Sequence, residues 1–205
     1  MTFLKKNYGW MLVAVLAIIP LFILSSMVEI RFVNGLSISL TEAPIGQGKT
    51  TLEMLYHISG EFSIRWMTLV LSCTPFYIIF GITNLFVRQA MGIATAVWSF
   101  VHFSIFIIAE GFFETFTQLN YVAGFVAVLI LIPLFMTSNR RSMKWLNLRW
   151  KKIQSMAYVA MIFTLLHVAL LDRTWIIYCI IVSLGFIIRI PFIKYKLVKL
   201  RTNKL

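Results

Sequence analysis

Apolar residues run along this chain in long blocks broken by short polar segments, not in the alternation of a half-buried strand or the one-sided stripe of a surface helix. A hydrocarbon layer about 30 Å thick takes roughly 20 apolar residues of helix to cross. Six blocks approach that length, at residues 10–28, 66–86, 91–109, 121–137, 156–171 and 175–192. The pattern predicts an all-α, polytopic membrane bundle of six transmembrane helices, one domain covering 1–205, with no Gly/Ser-rich linker or low-complexity tract. The segment at about 30–65 reads as an outward loop, with an interfacial helix around 51–57. The fourth and fifth blocks are short. The first follows Lys5 and Lys6 but lacks a clean small-residue cleavage site, so it reads as a retained helix and not a signal peptide.

Composition agrees with a membrane chain: 60% of the 205 residues are hydrophobic and 13% charged, where soluble domains have roughly 45–50% and about 25%. The charges add an orientation. With the N-terminus cytoplasmic, the basic residues gather inside: Lys5 and Lys6, Arg88, a loop at about 138–153 containing NRRSMKWLNLRWKK, and a tail at about 193–205 containing KYKLVKLRTNK. Glu29, Glu42, Glu53, Glu61, Glu110, Glu114 and Asp172 fall in or beside the outward segments. This is the positive-inside bias of a multi-pass protein with both termini cytoplasmic. The net charge of +12 then reflects topology and attraction to anionic lipid of the bilayer, and nucleic acid is not implied.

Nucleotide chemistry has no foothold in the sequence. GQGKT at 46–50 lacks the GxxxxGK[ST] spacing and follows no strand, and neither GxGxxG nor HExxH occurs. A reducing nucleotide must therefore be handled by another protein, and the chain reads as a subunit. Cys73 and Cys179 lie in the second and sixth blocks outside any CxxC pair, and read as small apolar side chains rather than a disulfide or metal site.

Two histidines stand out because ionisable side chains in membrane spans are costly and face the protein interior. His102 lies in AVWSFVHFSIFI and His167 in AMIFTLLHVALL, each eleven residues beyond the start of its block. At 1.5 Å per residue both sit roughly 16–17 Å along helices that run in the same direction. Each alone fits an interhelical hydrogen bond. Together, at matched depth, they also fit the two axial ligands of a haem iron in a helical bundle. Phe100, Phe103 and Phe106 near the first, and Phe163, Leu166 and Leu170 near the second, are candidates to pack a porphyrin face.

Four segments then carry a resemblance: HISGEFSIRWMTLVLSCTPF at 57–76, RQAMGIATAVWSFVHFSIF at 88–106, LILIPLFMTSNRRSMKWLNLRWKKIQSMAYVAMIFTLLH at 129–167 and DRTWIIYCIIVSLGFIIRI at 172–190. Their HxxGxxxxR…TP, RxxxG…H and MTSN…WKK…H patterns, in this order, resemble the haem-binding membrane subunit of the bacterial periplasmic methionine-sulfoxide reductase system, the MsrQ or YedZ family of the ferric-reductase-like transmembrane superfamily. The resemblance implies a b-type haem protein of the bacterial inner membrane. Such a subunit passes electrons to a periplasmic molybdenum-cofactor reductase from a cytoplasmic flavin and flavin reductase, or from quinol. His102 and His167 fall on the family's haem-ligand positions.

One departure follows from the same resemblance. Thirteen residues before His167 the family usually has a further histidine, where this chain has Gln154; fourteen before His102, two-haem members of the superfamily have another, where this chain has Arg88. Thirteen or fourteen helical residues span roughly 20 Å, the separation of two haem layers. The expectation is therefore one haem, with the inner layer vacant or holding FMN or quinone.

Arg88, Gln154 and Arg149 are the candidate contacts on that inner side, within a basic set that includes Arg140, Arg141, Lys144, Lys151 and Lys152 and suits a phosphate or propionate. Trp145 and Trp150 read as interface anchors. His57 lies outward, beside a local pair of Glu61 and Arg65. Two other functions stay open at this point: a ferric-reductase-like subunit with a different acceptor, and a haem-free membrane scaffold.

Overall fold

A computed structural model describes residues 3–31, 37–40, 50–171 and 174–203. Glu42, Asp172 and most of the GQGKT segment lie outside them. The first helix, α1 (Phe3–Ser25), leads into a small antiparallel hairpin of β1 (Val28–Arg31) and β2 (Ser37–Leu40), with Val28 opposite Leu40 and Arg31 opposite Ser37. This hairpin sits in the segment read from sequence as loop. The remainder is helical: α2 (Thr51–Phe80), α3 (Leu85–Glu110), a 3₁₀ turn at Phe113–Phe116, α4 (Leu119–Met136), α5 (Arg140–Leu146), α6 (Leu148–Ser155), α7 (Ala157–Leu170), α8 (Ile176–Arg189) and α9 (Pro191–Thr202).

The chain is a multi-pass helical membrane bundle. Among the described residues, five helical segments are long and apolar enough to cross a bilayer, and a sixth if the bent pair α8 and α9 counts as one span. Several boundaries differ from the sequence expectation; the second block ends at Phe80, capped by Gly81, and α3 begins at Leu85 rather than at 91. The second span does not begin at residue 66: α2 starts at Thr51, so the supposed interfacial helix and the end of the loop belong to one helix of 30 residues. Thr50 starts it with a capping box, its hydroxyl accepting from Glu53 N–H at 3.2 Å while the Glu53 carboxylate accepts from Thr50 N–H at 3.1 Å. At about 45 Å, α2 is longer than the hydrocarbon layer is thick.

Secondly, the basic segment at 138–153 is not a loop but the helices α5 and α6, the latter continuing into α7 as a 23-residue apolar segment from Leu148 to Leu170. Arg88 likewise sits in the first turn of α3, not between spans. Thirdly, the last span does not run to residue 192. Pro191 pushes Ile190 to extended backbone (φ −55°, ψ 129°), and α9 turns away from α8 by 79°.

Prolines inside spans leave carbonyls without their helical donors, and distant side chains fill in. Pro75 of α2 cannot donate to Leu71 O, which accepts instead from the Arg189 guanidinium at 2.7 Å. Trp98 Nε1–H of α3 donates to Ala17 O of α1 at 3.1 Å, a tie between the two helices. Two apolar cores result. Val13, Leu55, Trp66, Ala94 and Trp98 join α1, α2 and α3; Ile64, Met67, Leu131, Leu134, Ala160 and Met161 join α2, α4 and α7. At the centre of the bundle are two closely packed pairs, α2 with α3 and α4 with α7, with α8 against α2 and α1 against α3.

Candidate functional site

Each helix pair supplies one histidine. His102 projects from α3 and His167 from α7, and their ring centroids lie 6.3 Å apart with planes inclined at 69°. Both rings are held the same way. His102 Nδ1–H donates to Tyr56 O of α2 at 2.8 Å, and His167 Nδ1–H donates to Asn120 O of α4 at 2.7 Å. A carbonyl only accepts, so each bond fixes the proton on Nδ1 and leaves Nε2 with its lone pair.

The approach to those carbonyls needs glycine. Gly60 is four residues after Tyr56, and a Cβ there would meet His102 Cε1 at 3.0 Å and Nδ1 at 3.2 Å. Gly124 is four residues after Asn120, and its Cβ would meet His167 Nδ1 at 3.0 Å. A helical carbonyl is flanked one turn on by the side chain of residue i+4; glycine there opens the space the imidazole takes. Neither glycine was singled out from sequence. The readable signal was a glycine at nearly the same distance before each histidine, 42 residues for Gly60 and His102 and 43 for Gly124 and His167.

The histidines face a cavity of about 190 Å³ whose walls include Phe103, Phe106, Phe125 and Val128. Ser63 and Ser99 also line it, their hydroxyls bonded to one another at 2.6 Å. Of the aromatic residues expected beside the histidines, Phe100 lies elsewhere, edge-on to Phe135 at 5.8 Å. Phe163 and Leu166 are likewise absent from the lining, and Leu170 is exposed. Phe125 of α4 takes their place. At the hairpin end the cavity opens past His57, Glu110 and Tyr121. Glu61 at this rim is paired with Arg65 at 2.9 Å and accepts from Tyr178 Oη at 3.2 Å.

A second cavity, about 350 Å³, opens at the basic end. Arg88 and Gln154 both line it, with Arg140, Lys151, Trp150 and Tyr158. Arg149 does not: its side chain is exposed and absent from the lining. Gln154 donates to Thr137 Oγ1 at 2.9 Å and Leu134 O at 3.2 Å, so its amide nitrogen is engaged with α4. Trp150 Nε1–H donates to Thr137 O at 2.9 Å, whereas Trp145 is 82% exposed. Leu131 lines both cavities and forms part of the partition between them. Among the described residues no three His, Cys, Asp or Glu side chains converge as a zinc or iron–sulfur site requires.

Comparison with known proteins gives one consistent name. The chain is 30% identical over 130 residues to the "Protein-methionine-sulfoxide reductase heme-binding subunit MsrQ" of Deinococcus radiodurans, covering 60% of this chain and 64% of that one. It is 24% identical over 147 residues to the proteins of the same name from Brucella ovis and Brucella suis, covering 66% of this chain and 67% of theirs. The matches thus span about two thirds of the relatives' length. No family model and no solved structure matches. The chain is thus similar, over part of its length and theirs, to heme-binding subunits that share the name MsrQ, and like a membrane subunit it folds as a multi-pass helical bundle.

Proposed function

We propose that this chain is a membrane electron-transfer subunit that holds a single b-type haem between His102 and His167. The observation that carries the reading is the spacing of the two imidazoles. Two metal–nitrogen bonds of about 2 Å and about 1.1 Å from each nitrogen to its ring centre separate two such centroids by about 6 Å; here they are 6.3 Å apart. With Nδ1 bonded to a carbonyl, each ring presents Nε2 as the nitrogen available to coordinate a metal. The relatives are named as heme-binding subunits, which agrees with this donor set.

Haem held by His102 and His167 would supply one-electron chemistry at its iron. The chain's own residues do the rest. Tyr56 and Asn120 orient the rings through their carbonyls, Gly60 and Gly124 make room for them, and Phe103, Phe106 and Phe125 keep water from the site. The other layer has no equivalent ligands, since the Arg88 side chain offers only N–H donors and the Gln154 amide nitrogen is committed to α4. The cavity at the basic end instead suits an anionic, planar electron donor such as FMN, or a quinone, with Arg88, Arg140 and Lys151 toward its charged or polar part.

In this reading the termini and the basic end face the cytoplasm of a bacterial inner membrane, by the positive-inside bias. Electrons enter there from a flavin reductase or from quinol. They leave at the hairpin end to a periplasmic molybdenum-cofactor methionine-sulfoxide reductase.

The test is a reduced-minus-oxidised visible spectrum of the purified protein with its haem-to-protein ratio. A low-spin b-type spectrum at about one haem per chain is expected, lost or turned high-spin in both His102→Ala and His167→Ala. A colourless protein, or a spectrum indifferent to both substitutions, refutes the assignment.

A further inference from the structure

Among the described residues, two buried side-chain polar atoms have no hydrogen-bond partner, Arg189 Nε and Thr115 Oγ1. Arg189 has its other nitrogens to work with, one on Leu71 O. Thr115 has a single polar side-chain atom, and the residue is 1% exposed. Hydroxyls elsewhere in the bundle avoid this state by bonding a carbonyl one turn back, as Thr68, Thr95, Ser99 and Thr164 do. Thr115 sits in the 3₁₀ turn between α3 and α4, where its N–H donates to Phe112 O at 3.2 Å but its hydroxyl, unlike that of Thr117 on Glu114 O, reaches no acceptor among the described residues. Its hydroxyl is left over, and an unpartnered buried hydroxyl is destabilising.

Thr115 lines the same cavity as His102 and His167. It stands at the hairpin end, with His57, Glu110 and Tyr121, about 12 Å along α3 from His102 to Glu110. Haem carries two carboxylates on one edge and is otherwise apolar. Burying carboxylates among Phe103, Phe125 and Val128 is far costlier than turning them to the polar rim. Repulsion there is limited: Glu61 is paired with Arg65 and Tyr178, and Glu110 is solvent-exposed.

We propose that Thr115 is a cofactor-anchoring residue whose hydroxyl donates a hydrogen bond to a carboxylate of the haem. The proposal rests on the haem reading above, and its failure is separable from the failure of that reading. The experiment compares wild type, Thr115→Val and Thr115→Ser in three measurements: haem loss to an excess of haem-scavenging globin, the visible spectrum, and the melting temperature of the haem-free protein. Valine fills the same space without the donor.

Thr115→Val is expected to keep the low-spin spectrum and a haem-free melting temperature no lower than wild type, yet to lose haem roughly tenfold faster, as one hydrogen bond to a charged group implies. Thr115→Ser restores the wild-type rate. Haem loss from Thr115→Val at the wild-type rate overturns the proposal. So does a lowered haem-free melting temperature, which would give the hydroxyl a partner in the protein itself. A wild type that takes up no haem brings down the ligand assignment, and the anchor with it.

Discussion

Replacing Gly124 by alanine places a methyl carbon 3.0 Å from Nδ1, 3.2 Å from Cε1 and 3.4 Å from Cγ of His167. The ring must withdraw by a few tenths of an ångström, and the direction open to it is away from α4, which stretches the 2.7 Å bond to Asn120 O. Overpacking of this kind costs about 1–3 kcal/mol and a weakened hydrogen bond about 1 kcal/mol. Removal of a helix-interior glycine returns about 1 kcal/mol. The net is about 1–3 kcal/mol against the ligating position, or roughly ten- to a hundredfold weaker haem retention. Gly60→Ala makes the same intrusion on His102, at 3.0 Å from Cε1.

Gly92 supplies the control. It lies in α3 like His102, but a Cβ there meets nothing within 4 Å, so Gly92→Ala keeps only the helix-propensity gain, up to about 1 kcal/mol. The three variants are compared by haem-to-protein ratio after gel filtration and by thermal melting with and without haem. Gly60→Ala and Gly124→Ala should lose haem while Gly92→Ala retains it. Retention by all three would refute the cradle argument, and loss by all three would mean that the effect belongs to spans in general.

Two further outcomes follow from contacts away from the histidines. Arg189→Met leaves Leu71 O without a donor because Pro75 has no N–H, at a cost of about 2 kcal/mol; adding Pro75→Ala returns a helical donor, so the double variant should recover at least about 1 kcal/mol in a melting cycle, and strict additivity would refute the pairing. Arg140→Ala with Lys151→Ala strips two cations from the larger cavity. It should slow reduction of the haem by reduced FMN or a quinol by roughly tenfold or more while leaving the spectrum unchanged; an unaltered rate with every donor would place electron entry elsewhere.

The histidines were legible in the sequence because a membrane makes an imidazole expensive, so two at matched depth demand a partner. What holds them was not legible. Which backbone carbonyl a ring reaches depends on helix pairing, and glycine in an apolar block has several meanings until the facing side chain is known. A helix beginning near residue 51 was read, but its continuity with the second span was missed because His57, Glu61 and Arg65 lower the hydropathy between them, although T-x-x-E at Thr50 and Glu53 marked the start of the whole helix. The end of the last span was overrun through Pro191, whose effect on the preceding residue is a local rule. The β-hairpin was hidden by its four-residue strands, too short for alternation to register against so apolar a background.

The two helix pairs repeat one another more closely than their residues do. In each, a helix running from the hairpin end to the basic end supplies a carbonyl with a glycine four residues on, and a later helix returns with the histidine. Tyr56 and His102 are 46 residues apart, and Asn120 and His167 are 47 apart. Each imidazole is therefore oriented within its own pair, α2 with α3 or α4 with α7, before the pairs meet. The distance between the rings is a separate quantity, set where Ile64 and Met67 of α2 pack on Leu131 of α4 and Met161 of α7. Orientation and spacing thus rest on different contacts: a change at a glycine turns one ring, whereas a change in this core moves the two rings relative to one another with both carbonyl bonds intact.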